Sequence, residues 1–501
     1  MLRHCRARAV GCTLLLGVIS LTGCQTPPRD AGFGQVGQVV AQRTGQKVAW
    51  RGHTTAAAAA DAQVRQMLGH PLTQQQAVAL ALINNRRLQA TYEDLGIARA
   101  QLVQAGLIPN PLATLDVRWP ESGSEVTWEF QAAAQLVDLL TLPQRQELAQ
   151  AQFLRTRLEV TQAVFNLIAQ VRQAYFDLQA AQQLLEMRQS VLEAAAASRD
   201  LSDKMHQAGN ITNLAWSQES AAYEDAYAAR QQAQLAVAQA HDQLAVLLGL
   251  SGAPARQLRV PGRLADLPAR TVQPRGLEAR ALAQRTDLAA ARQEILVAQR
   301  RAGLAGAGIW SDLAIGIHHE HDASGESATG PTLTFPIPLF DQGQARRQGA
   351  QAQLAQARFR YAALATEIQG QVRQAYARMA AARQQAQRLE RIVLPLKQKI
   401  VDEAQRQYNA MALSAFQLLL ARRDEIVTGA RYIGQLHDYW SARAQLENAV
   451  GGALPPMPAS TQPAAQPAPP PPATRPSMPS MPGMDGMPAK KSTPSMPRDT
   501  P

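Results

Sequence analysis

Val171-Arg172-Gln173-Ala174-Tyr175 recurs 201 residues later as Val372-Arg373-Gln374-Ala375-Tyr376, and this pair decides the fold because it marks the chain as two copies of one unit. Landmarks on either side keep step. Leu88 to Ala98 aligns with Leu288 to Ala298, and Ala105-Gly106 with Ala305-Gly306, both at an offset of 200. His206 with Ile211-Thr212 matches Tyr408 with Leu413-Ser414 at an offset of 202. A five-residue identity inside an Ala/Gln-rich helix carries little weight by itself; collinear landmarks across the whole unit do.

Working outward from Val171, a helix is predicted over 144–207, with its counterpart over 342–409. Leu154, Leu158, Thr161, Phe165, Ile168, Tyr175, Leu178 and Leu185 supply a seam at spacings of three and four, interrupted near Arg172. At ~1.5 Å per residue such a helix reaches roughly 100 Å and needs neighbours along its whole length. It ends at Gly209-Asn210-Ile211-Thr212 in one unit and Met411-Ala412-Leu413-Ser414 in the other, tight turns whose Thr or Ser can cap a following helix, over 213–249 and 414–450. Upstream, each unit opens with a helix, 71–106 with Thr73 as its cap, and 275–306. Pro109-Asn110-Pro111 and then Gly303, Gly306 and Gly308 break these helices. Two short β-like stretches follow each break: Thr114–Trp119 with Val126–Ala133, and Leu313–His319 with Thr329–Leu339. Each pair reads as a hairpin of strands near the ~9–11 residues that cross a bilayer when tilted.

Composition agrees with long helices. Of the 501 residues only 5% are aromatic, so a large aromatic core is excluded. The formal charge of +11 comes from arginines read as scattered among Gln and Glu rather than clustered, and no nucleic-acid-binding motif accompanies them, so no nucleic-acid partner is expected. Residues 1–23 read as an export signal, with Arg3, Arg6 and Arg8 ahead of the apolar run Val10 to Leu21. Leu21-Thr22-Gly23-Cys24 then resembles a bacterial lipobox, which makes Cys24 the lipid attachment point and leaves no thiol for disulfides or catalysis. Gln25, rather than Asp, favours the outer membrane. One lipid anchors without spanning, and no later stretch approaches ~18 consecutive apolar residues, so any membrane crossing falls to strands.

With the duplicated order in place, three runs carry a family resemblance: Ala105 to Pro111 (Ala-Gly-Leu-Ile-Pro-Asn-Pro), Phe335 to Gly343 (Phe-Pro-Ile-Pro-Leu-Phe-Asp-Gln-Gly) and Gly209 to Asn213 (Gly-Asn-Ile-Thr-Asn). From about Ala62 to Gly451 the chain resembles the TolC-like outer-membrane efflux proteins, specifically their lipid-anchored branch. The resemblance implies a mainly α fold with a small β part: duplicated coiled-coil helices forming an α-barrel, and two β-hairpins per protomer contributing to a trimeric outer-membrane β-barrel. It also implies a homotrimer anchored in outer-membrane lipid and extending into the periplasm. Its partners would be a periplasmic adaptor protein, docked at the tips Gly209, Asn210, Ile211, Thr212, Met411, Leu413 and Ser414, and an inner-membrane pump. The division expected is a lipidated linker at 24–70, repeats at 71–270 and 271–453, and a disordered Pro/Met-rich tail at 454–501.

Side chains that can carry chemistry are few. The tail holds 16 of the chain's 31 Pro and 6 of its 12 Met, so it has little to bury, while Met478, Met481, Met484 and Met487 recur every third residue as soft ligands suited to Cu(I) or Ag(I). In His318-His319-Glu320-His321-Asp322 the strand period places His319 and His321 on one side as borderline metal donors. Asp200 and Asp203, with Asp402 and Glu403, sit near the helical tips, where threefold repetition would make carboxylate rings favouring cations. No nucleophile with an acid–base pair, phosphate loop or dinucleotide turn is present, so neither catalysis nor a cofactor is expected. The function expected is a passive efflux duct carrying copper, silver or other metal ions. Two alternatives stand beside it: a multidrug or small-molecule duct, and a periplasmic coiled-coil lipoprotein with a metal-scavenging tail.

Overall fold

A computed structural model describes residues 30–51, 54–119 and 126–454. Cys24, the export segment, the first hairpin's loop and the Met-rich tail lie outside them. Two helices come first, α1 (Phe33–Thr44) and α2 (Thr54–Leu68), where the sequence suggested only a linker. Val36 and Val40 of α1 are buried, and apolar burial of this kind is what ties a terminal segment down.

The first unit then runs α3 (Gln74–Asn84), α4 (Arg86–Ala105), β1 (Leu112–Arg118), β2 (Thr127–Gln135), α5 (Leu136–Leu140), α6 (Leu142–Gln207) and α7 (Asn213–Leu247). A connector bearing the short α8 (Gly252–Gln257) leads to the second unit. There α9 (Leu277–Gln284) and α10 (Thr286–Leu304) precede β3 (Ala314–His321), β4 (Ser327–Thr334), α11 (Gln344–Arg388), α12 (Leu394–Asn409) and α13 (Ala415–Val450). Among the described residues no helix is long and apolar enough to cross a membrane.

The 66-residue α6 is the spine of the molecule. It packs on α7, α13, α10 and α4, and its middle is buried on several sides at once, at Val160, Val164, Phe165, Ile168, Val171, Tyr175 and Leu178. Leu154, Leu158 and Leu185 of the expected seam are only half-buried, because fewer helices flank α6 there. Side chains from both units share one apolar core, including Leu80, Tyr92, Leu178, Leu244, Ile368, Tyr439 and Leu446.

The helix expected over 71–106 is two helices, and so is its counterpart. Asn85 (ψ 112°) and Arg285 (ψ 126°) leave the helical region. Asn85 then accepts the Leu88 N–H at 2.8 Å, capping α4, and donates to the Leu247 carbonyl at 2.8 Å. Asn84 donates to the Leu248 and Gly249 carbonyls, so the break in the opening helix finishes the end of α7. Thr73 with Gln76, and Ser414 with Gln417, form reciprocal caps at α3 and α13.

The second long helix differs from the first. Between α11 and α12 lies one wide π turn, Leu389–Val393. Pro395 follows it, and a proline has no N–H to give and crowds the carbonyl four residues back, which the wider turn relieves. A π turn is an extra residue absorbed by a helix. The offset between the units steps from 201 at Val171/Val372 to 202 at His206/Tyr408 across this turn.

Candidate functional site

The four strands form one antiparallel sheet in the order β1-β2-β3-β4, and β1 and β4 each have a neighbour on one side only among the described residues. Strands β3 and β4 reach Ala314–His321 and Ser327–Thr334, so β4 ends before Pro336 and Pro338, which cannot donate to a ladder.

Register sorts the side chains into two faces. Phe130 stands opposite both Leu115 and His319, Ala132 opposite Ile317, and Ala134 opposite Ile315, which faces Leu333. This face is apolar and exposed; Ile317, for example, is 60% accessible. The other face is polar. Asp116, Glu129 and Glu320 stand in one row across β1, β2 and β3. Arg118 reaches Asp116 at 3.3 Å and Glu129 at 3.4 Å, and His318 lies 3.8 Å from Glu320. The sequence offered no sign of this row, because it depends on how the two hairpins register against each other.

His319 and His321 do share a face, and it is the apolar one. Their Nδ1 atoms lie 2.7 Å from Thr329 Oγ1 and 2.9 Å from Ser327 Oγ, and both rings pack near Trp128. Among the described residues no group of three or more His, Cys, Asp or Glu is arranged to hold a metal ion.

At the opposite end of the helices are two hairpin tips built alike. The Gly209 and Asn210 N–H groups return to the carbonyls of His206 and Met205, and those of Met411 and Ala412 to Tyr408 and Gln407. Both are left-handed helix terminations, with Gly209 at φ 73° and Met411 at φ 58°. Thr212 and Ser414 cap the return helices, and Met411 is 96% exposed. The four carboxylates nearby differ. Asp203 accepts the Trp216 indole N–H at 2.6 Å, and Trp216 stacks on His206, so Asp203 ties α6 to α7. Glu403 pairs with Arg406 at 3.0 Å on its own helix. Asp200 and Asp402 are exposed.

Midway along the helices, Gln170, Gln173, Gln243, Gln371, Gln374 and Asn448 line a recess of about 870 Å³, with Arg285 and Arg378 at its side. An amide-lined wall offers donors and acceptors with little net charge. Nearby, His437, Asp177 and Ser441 cluster at the α6–α13 contact. Asp177 Oδ1 (2.7 Å) and Ser441 Oγ (3.2 Å) both meet the same nitrogen, Nε2. A nucleophilic triad needs the acid and the hydroxyl on opposite ring nitrogens, so this cluster is not one. The hydrogen bond that the His437 ring gives to Asp177 raises the His437 pKa, against the opposing effect of burial.

Comparison with known proteins places this architecture. The sequence pattern of the family described as "Outer membrane efflux protein" matches residues 77–250 and 277–452. The cobalt-zinc-cadmium resistance protein CzcC of Cupriavidus metallidurans is 24% identical over 388 residues, 76% of this chain and 90% of that protein. The probable efflux pump outer membrane protein TtgC of Pseudomonas putida is 30% identical over 280 residues, 52% of this chain and 56% of its own length. The crystal structure of the Campylobacter jejuni CmeC outer membrane channel superposes with a TM-score of 0.65 at 16% identity, covering 76% of this chain and 85% of that one. With both of its repeats matched by the family pattern, this chain belongs to the outer membrane efflux protein family.

Proposed function

We propose that the chain is one protomer of a homotrimeric duct in the outer membrane, a passive exit for cargo delivered by an inner-membrane pump through a periplasmic adaptor docked at the helical tips. The two-faced sheet with free edges carries this reading. An open edge in hydrocarbon leaves each unpaired backbone group at a cost of several kcal/mol, and four strands cannot close on themselves. Three copies can, within the ~8 to 26 strands seen in such barrels, with the apolar face toward lipid and the acidic row toward the lumen.

A lipid on Cys24 is compatible with that placement. Gly32 lies against Phe153, since a Cβ on it would be 3.0 Å from that ring. Phe153 is ~16 Å along α6 from Leu142, at the sheet end of the helix, and the stretch from Cys24 to Gly32 can span up to roughly 27 Å.

For cargo, the reading is a metal cation. It is supported by the likeness to CzcC, by the row of Asp116, Glu129 and Glu320, and by the soft thioethers of Met478, Met481, Met484 and Met487 in the tail. His319 and His321, on the apolar face, are better suited to a membrane-interface rim than to a cation path. The likeness to TtgC supports a small-molecule cargo as the second reading.

Single-channel conductance of the purified protein in planar bilayers, with its mass in detergent, tests the duct. Trimeric particles with cation-preferring conductance are expected; a non-conducting monomer would overturn the reading and favour a periplasmic lipoprotein scaffold. Loss of metal tolerance, rather than drug tolerance, on deletion decides the cargo.

A further inference from the structure

The connector between the repeats, residues 252–276, carries five arginines and a single carboxylate, Asp266. Arg256, Arg259, Arg263, Arg270 and Arg275 are all exposed, and none pairs with a carboxylate among the described residues. The backbone that bears them is pinned. The Leu72 N–H donates to the Arg259 carbonyl at 2.8 Å. Gln179 of α6 donates to the carbonyls of Pro261 and Arg263 at 2.8 and 2.9 Å, and Gln183 accepts the Leu264 N–H at 3.1 Å. The Trp440 indole of α13 donates to the Ala265 carbonyl at 2.8 Å, and Arg383 of α11 to that of Ala269 at 3.3 Å. The connector therefore crosses α6, α13 and α11 in turn as a transverse belt. Gln179 and Gln183 lie roughly 55–60 Å along α6 from its sheet end.

Leu258, Val260 and Leu264 are buried inward, so the outer surface of the belt presents guanidinium groups without an apolar centre. A protein partner would ordinarily be gripped through a desolvated apolar or aromatic core. Exposed guanidinium forks spread along a pinned backbone instead suit a polymer carrying repeated carboxylates, which Arg can bind in bidentate fashion.

We propose that this belt holds the carboxylate-bearing peptides of the periplasmic cell wall. The proposal rests on the duct reading only in placing the long helices in the periplasm. The test is sedimentation of the full-length protein in detergent with purified cell-wall sacculi. The wild-type chain should co-sediment at low salt and be released as salt screens the contacts. Replacing all five arginines (Arg256→Gln, Arg259→Gln, Arg263→Gln, Arg270→Gln, Arg275→Gln) should lower retention about tenfold or more while leaving trimer mass and conductance unchanged. Amidating the sacculus carboxylates should release the wild type equally. Equal retention of the two proteins, or no retention of the wild type, overturns the proposal. Retention on immobilised poly-glutamate but not on sacculi overturns it in favour of an acidic protein. Arginine-dependent binding by a chain that does not conduct supports the belt while removing the duct.

Discussion

Gly249 lies against the backbone of Asn84, so that a Cβ built on it would sit 2.5 Å from the Asn84 carbonyl oxygen. The second repeat repeats the contact more loosely, with Gly451 having its virtual Cβ 3.2 Å from the Gln284 carbonyl carbon. Both glycines are left-handed, at φ 68° and 80°. Gly249→Ala should therefore destabilise the protein by at least ~2 kcal/mol, combining strain with collision, and Gly451→Ala by about 1 kcal/mol less. Thermal or denaturant unfolding of the two variants checks the order.

Met411 adopts the left-handed position that Gly209 occupies at the sister tip. Replacing it with glycine removes strain at the cost of a more flexible unfolded chain, for a net gain of up to ~1 kcal/mol. If the exposed side chain contributes to adaptor docking, Met411→Gly should raise the melting temperature and weaken adaptor binding together. A variant that is more stable and binds fully would remove Met411 from the docking surface.

Glu447 joins α6 to α13 by pairing with Arg172, and with Arg443 at 3.4 Å, and all three side chains are largely buried. Glu447→Gln leaves two guanidinium groups without their counter-charge and should cost about 3 kcal/mol. Arg172→Met in the same chain should recover part of that loss, read as a rise in the denaturation midpoint.

His437 has a pKa raised above its ordinary 6.5 by Asp177, and Asp438 also faces it. The stabilisation this gives is fully present below pH 6.5 and is lost as pH rises through the higher folded value. His437→Gln should thus lower the melting temperature most at about pH 6, with the gap to wild type narrowing as the medium becomes alkaline. A gap independent of pH would show that the imidazolium does not hold the helices together.

On the sheet, Ile317→Lys should behave differently from Thr332→Lys, since Ile317 pairs with Pro331 on the apolar face while Thr332 pairs with Gly316 on the polar one. Lysine on the apolar face costs about 2–4 kcal/mol at mid-bilayer and should impair insertion. Lysine on the polar face should leave insertion intact and lower cation preference, measured as a shift in reversal potential.

Much of this fold was legible in the sequence because helices and turns are local. The tip turns could be read from Gly209-Asn210-Ile211-Thr212, and the cap at Thr73 from its own side chain, since each depends on a few consecutive residues. The breaks at Asn85 and Arg285 were missed because the side chains of Asn84 and Asn85 act on the end of α7, which is distant in sequence. His319 and His321 could be placed together by period, but which face they occupy depends on pairing with Trp128 and Phe130 of the other hairpin. The connector's arginines passed for scattered charge because their unpaired state appears only once the carboxylates have found other partners.

The π turn at Leu389–Val393 takes up one extra residue in a widened turn, cancelling most of the ~100° by which an added residue would otherwise rotate everything below it around the helix axis. The two arms therefore keep a common angular phase on both sides of that turn. Below it, positions paired at an offset of 202 face the same way as positions paired at 201 above it, so the likeness between the two arms runs on to the tips. Exchanging the lower arms between repeats would thus keep the facing side chains matched when the junction, placed below the turn, follows the offset of 202.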